Sequence, residues 1–218
     1  MIGDKILVHQ FHTGIAEKIV TEIYDTVMLY RDQKKKYVIS VAGESGAGKS
    51  EIGFEISRLL NIKSIKTAVM GQDDYFVFPP LMNREMRLNN PEQVGLYEVK
   101  LDLIDANLFS FKSGSKKIYK PLVDYNNNTI LHEIMDIESL SVIVIEGTYT
   151  SQLTYVDCRI FIDKNYKDTK KHRENRDRGD TDPYTEQILE REHRIISAHK
   201  KKANIIIKKD YSGIVREV

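Results

Sequence analysis

The sequence predicts a three-layer α/β fold built on a five-stranded parallel sheet. Five short runs are almost continuously apolar: YVISVAG (37–43), IKTAVM (65–70), SVIVIEG (141–147), CRIFID (158–163) and NIIIK (204–208). Strands buried on both faces read this way, whereas half-exposed strands alternate. Helix-period patterns at about 100–111 and 184–199 lie between the runs. The stretch GESGAGKS (43–50) closes the first run and opens a helix.

The elements follow in order. Residues 15–30 space Ile15, Ile19, Ile23 and Val27 four apart, which predicts an amphipathic helix. Residues 1–36 therefore read as an N-terminal helical extension, and 37–218 as the main domain. After the first strand, KSEIGFEISRLL places Ile52, Ile56, Leu59 and Leu60 on one helical face. Between the second and third strands, KKIYKPLVDY and TILHEI flank Asn126, Asn127 and Asn128. Asparagine tolerates left-handed turn geometry, so about 112–136 reads as an inserted hairpin facing a substrate. KKHRENRDRG (170–179) falls in a candidate lid at about 165–182; a solvated helix face and a phosphate-covering lid share this composition.

Bulk properties exclude several classes. The chain has 218 residues, 41% hydrophobic and 30% charged, enough for a buried core and too apolar for disorder. A net charge of +1 gives no overall field for nucleic acid. The longest apolar runs are too short to span a bilayer, and MIGDKILVHQ lacks the layout of a secretion signal. A cytoplasmic protein is expected. The single cysteine, Cys158, forbids an internal disulfide and reads as a buried strand thiol. His9-x-x-His12 has metal-like spacing but no companion ligand, and His193 and His199 are expected exposed on a polar helix.

Gly43, Gly48, Lys49 and Ser50 fit G-x-x-x-x-G-K-[ST], the spacing of a phosphate-binding loop. Backbone N–H groups of Gly43, Glu44, Ser45, Gly46, Ala47 and Gly48 would face phosphate oxygens, with the helix N-terminus behind them. Lys49 would neutralise the terminal phosphates, and the Ser50 hydroxyl would bind Mg²⁺. The fold is thus that of P-loop NTPases. A guanine-reading N-K-x-D string is absent, and NYKD (165–168) has the wrong order. No transporter signature of the LSGGQ type is present either. A small-molecule kinase needs an acid near the γ-phosphate, a second acid for metal, and mobile arginines. GQDDYF (71–76) supplies Asp73 and Asp74 at the carboxyl edge of the sheet, where open α/β sheets bind ligands. Glu146 ends a buried strand, and Arg173, Arg176 and Arg178 lie in the lid stretch.

Together VAGESGAGKS, GQDDYF, PLVDY, VIVIEGTY, HRENRDRG and ANIIIKKDY resemble the uridine kinase and phosphoribulokinase family of P-loop kinases. The resemblance runs from about residue 37 to 212. It implies ATP and Mg²⁺ as cofactors, a small-molecule acceptor such as a nucleoside, and a homo-oligomer. It also implies Asp73 as the catalytic aspartate, Phe76 as an aromatic of the acceptor site, and Glu146 as the metal-assisting acid. Arg173 and Arg178 match lid arginines that contact phosphates. Asp124 and Tyr125 persist from the family hairpin motif. Asn89 stands where uridine kinases carry a ribose-gripping aspartate, and Val123 and Asn128 replace a tyrosine and a histidine that help read the pyrimidine. Transfer to nicotinamide riboside, transfer to a sugar phosphate met by Arg84 and Arg87, and a regulatory P-loop protein without transfer all stay open.

Overall fold

A computed structural model describes residues 2–3, 6–170 and 183–217. The sheet order is β2-β5-β1-β6-β7-β8, with β1 Tyr37–Gly43, β2 Thr67–Gly71, β5 Val142–Glu146, β6 Cys158–Ile162, β7 Ile205–Ile207 and β8 Ile214–Arg216. The five apolar runs are its five parallel strands. The sixth strand, antiparallel to β7, departs from the five-stranded expectation. It is a three-residue edge strand, half-exposed, and too short to show a period.

Both faces of the sheet are buried, and alternate residues of each strand divide between two cores. Ile39, Val41, Val144 and Ile160 face helices α1 (Gln10–Asp32) and α2 (Lys49–Ile62). Val38, Ala42, Ile143 and Ile145 face α4 (Leu101–Lys112), with Leu108 and Phe111 beneath them. Continuous apolar runs are the sequence image of this double burial. Helix α1 contributes Ile15, Ile19, Ile23 and Val27 to the same core as β1.

A second sheet of two antiparallel strands, β3 (Lys117–Asp124) and β4 (Thr129–Asp136), forms the expected hairpin. Asn128 takes φ 50°, the left-handed geometry its turn requires. Its Oδ1 accepts a bond of 2.8 Å from the Leu81 amide at the start of α3 (Pro80–Asn89). Among the described residues, no helix is long and apolar enough to cross a membrane.

Candidate active site

Strand register assembles the site. Glu146 lies opposite Val41 of β1 and Gly71 of β2, so the phosphate loop, the second acid and the Gln72–Tyr75 turn meet at one sheet edge. Gly147 lets this edge close: a Cβ there would stand 2.2 Å from the Gln72 Cβ. The Gln72 Oε1 in turn accepts from the Tyr149 amide at 2.7 Å. Gln72 and Gly147 therefore position the site without bearing chemistry, and only the E-G string hinted at them.

The loop Gly43–Gly48 is held from outside. Gly48 has φ 96°, and a Cβ on it would lie 2.4 Å from the Tyr211 Oη and 3.2 Å from the His12 Nε2. Only glycine fits that conformation and that space. Tyr211 donates its hydroxyl to the Ala47 carbonyl. The His12 Nδ1 accepts the His9 amide at 3.1 Å, so this pair shapes the start of α1. Lys49 Nζ donates to the Glu44 carbonyl at 3.1 Å. Thr169 Oγ1 donates to the Ser45 carbonyl at 2.9 Å.

Helix α5 (Pro183–Ile196) reaches the loop from the other side. His193 Nδ1 meets the buried Glu44 carboxylate at 2.5 Å. Burial raises the Glu44 pKa, and His193 partly offsets that. His193 is thus a loop contact and half-buried, while His199 is fully buried with its pKa pushed down to about 4 by burial and then Lys202. Neither is the exposed residue expected. A histidine inside a charged run looks solvated when its tertiary neighbours are unknown.

Glu146 is buried, and its pKa is pushed up to about 7 by desolvation first and by the charge of Asp73 next. Lys49 and a hydrogen bond with Ser50 pull it down. Asp73 is half-buried in the Gln72–Tyr75 turn, near enough to act on Glu146. Asp74 is engaged by the hairpin: its oxygens take the Lys120 ammonium at 2.9 Å and the Val123 amide at 3.0 Å. It anchors the hairpin to the sheet edge.

A cleft of about 430 Å³ opens between this edge and the hairpin. Ser50 and Glu146 line one side. Asp74, Lys120 and Glu133 line the other, with Lys120 also 2.8 Å from the Glu133 carboxylate.

Other candidates take other places. Phe76 lies 5.6 Å beneath the Arg87 guanidinium. Arg87 is spent internally, on Glu98 at 2.5 Å and Glu192 at 3.1 Å. Asp124 accepts the Asn126 and Asn127 amides at 2.9 and 3.2 Å and the Asn127 side chain at 2.8 Å, closing the hairpin turn. Tyr125 is half-buried, its amide donating to the Ile2 carbonyl, and Asn89 is exposed at the end of α3. Arg173 and Arg178 lie outside the described residues.

The model of the "Phosphoribulokinase / Uridine kinase family" matches residues 38–211. A uridine kinase of Halalkalibacterium halodurans is 28% identical over 186 residues, 80% of this chain and 86% of the relative. A uridine kinase of Ureaplasma parvum is 32% identical over 60% of this chain, and a bifunctional alpha-galactosidase/sucrose kinase of Mediterraneibacter gnavus is 25% identical over 87%. The chain's matches span 63% and 22% of those two relatives. D-glycerate 3-kinase of Cryptococcus neoformans superposes with a TM-score of 0.63 at 12% identity, over 93% of this chain and 99% of that one. Phosphoribulokinase of Rhodobacter spheroides does so at 0.60 and 17%, over 80% and 70%. These likenesses show the fold. By its matched residues, this chain belongs to the phosphoribulokinase/uridine kinase family of ATP-dependent P-loop kinases.

Proposed function

We propose that the protein transfers the γ-phosphoryl group of ATP to a hydroxyl of an uncharged small metabolite, with a nucleoside as the leading class. The observation that carries this is the convergence of Glu146, Ser50 and Asp73 at the edge where the loop begins. The loop amides and Lys49 hold the terminal phosphates. Ser50 and Glu146 form a hard oxygen pair that fits Mg²⁺, because a cation would offset the desolvated Glu146 charge. When bound, Mg²⁺ neutralises phosphate charge. Asp73 takes the acceptor proton and orients its oxygen, and Arg173 and Arg178 cover the migrating charge.

The cleft wall supports an uncharged acceptor. Two carboxylates, Asp74 and Glu133, already engage the Lys120 ammonium, the one cation among the described residues that line the cleft. A sugar phosphate would meet repulsion there. With Arg87 paired to Glu98 and Glu192, one of its two suggested anion contacts is already engaged. A sugar acceptor is the second reading. Val123 is buried and Asn128 is bound to Leu81, so the two hairpin positions that would read a base are occupied by the fold. A sucrose kinase among the relatives agrees with this.

The test is Mg-ATP consumption over a panel of uridine, cytidine, nicotinamide riboside, simple sugars and ribulose 5-phosphate. Stimulation by a nucleoside or sugar is expected, and Asp73→Asn should cut turnover by about 10²–10⁴-fold with ATP affinity nearly unchanged. Best stimulation by the sugar phosphate, or full turnover in the variant, would refute the assignment.

A further inference from the structure

We infer that Ile6, ahead of α1, forms part of the wall of the acceptor cleft and is a specificity-determining residue for the acceptor. This rests on the kinase reading above for the identity of the ligand, and on geometry for the wall.

Ile2 is attached to the hairpin by its backbone. Ile2 donates its amide to the Val123 carbonyl at 2.8 Å, and the Tyr125 amide donates to the Ile2 carbonyl at 3.1 Å. Ile2 thereby forms a parallel bridge with Asp124 at the end of β3. Residues 6–9 lead into α1, and Ile6 lines the cleft together with Val69 and Met135. Met135 lies two positions from Glu133 on β4, so apolar and polar lining meet side by side on the cleft face of the hairpin.

Ile6 is 45% exposed. An isoleucine left half-open beside a cleft gains by covering an apolar face of whatever binds there. A mixed lining of this kind suits a ligand that carries both hydroxyls and an apolar plane, as in a nucleoside or a pyranose. Ile6 precedes residue 38, where the family match starts, so this part of the wall lies outside the matched region.

The chain has no tryptophan, so Ile6→Trp carries a unique indole reporter at the cleft. Two variants test the inference beside it. Ile6→Ser should raise the acceptor KM about five- to tenfold while kcat and the ATP KM hold. Leu7→Ser, at a 59% exposed neighbour outside the cleft lining, should change nothing. Adding a nucleoside or sugar with a non-hydrolysable ATP analogue should shift the Ile6→Trp emission. Wild-type turnover with an unmoved KM in Ile6→Ser and unmoved emission would overturn the wall while leaving the kinase reading intact. No phosphoryl transfer with an emission shift would do the reverse. Emission unmoved by every ligand in a protein without transfer would overturn both.

Discussion

The two sides of the cleft are built by different means. On the phosphate side, contacts come from backbone and from neighbours in sequence: the loop, Lys49 and Ser50 span eight residues, and Glu146 ends a strand with all five residues buried. On the side proposed for the acceptor, the Asp74–Lys120–Glu133 group joins side chains from three elements. Strand β4 there is exposed or half-exposed along its whole length. A phosphate can be recognised by main-chain amides at fixed spacing, so its site is rigid and repeats across proteins. An acceptor is recognised by side chains brought together by folding, so its site can be rebuilt by single substitutions.

The sharpest way to break this contrast is Lys120→Met. Lys120 is 4% exposed and holds the buried Asp74. Removing the ammonium from that buried carboxylate, which keeps the Val123 amide, should cost up to about 3–5 kcal/mol in urea unfolding. Adding Asp74→Asn should recover part of the loss, whereas equal costs in the single and double variants would show that the pair does not anchor the hairpin.

The phosphate side should answer with the opposite sign. The folded Glu146 pKa, at about 7, stands above the 4.5 of a free glutamate side chain. Its folded form therefore favours the proton. The contribution is intact below about pH 4.5 and is lost as pH rises through about 7. The shift corresponds to about 3 kcal/mol. Glu146→Gln should be more stable than wild type at pH 8 without ligand, nearly equal at pH 4, and poor in phosphoryl transfer. Parallel stability curves for the two proteins from pH 4 to 8 would contradict the burial argument.

The smallest effect is expected at the hairpin tip. Asn128→Ala removes the bond to Leu81 and strains a left-handed position, for a loss of about 1 kcal/mol. Asn128→Gly should cost less because the backbone geometry is kept. Thermal denaturation of both variants distinguishes the two terms.

The same contrast explains what could be read from the residues alone. The five parallel strands were visible because double burial writes itself as unbroken apolar runs. The loop was visible because amide cradles need glycine at set offsets. Asp74 was not readable as an anchor, since its partner lies 46 positions away and two adjacent aspartates look alike in a string. Arg87 looked like surface or an anion contact because Glu192 is distant in sequence. Asp124 reads equally well as a substrate contact and as the cap of its own turn; only the folded hairpin shows the bonds to Asn126 and Asn127. Strand β8 was too short to carry any pattern.

Tyr211 adds a temporal consequence. Its hydroxyl holds the Ala47 carbonyl across 164 positions of sequence, and its ring packs against His12 at 5.4 Å. A ribosome makes residues 43–50 long before it makes Tyr211. The nascent chain can form β1 and α2 early, yet the loop between them lacks its outer brace until residue 211 has left the exit tunnel. The braced loop is therefore completed only after all five parallel strands have been made.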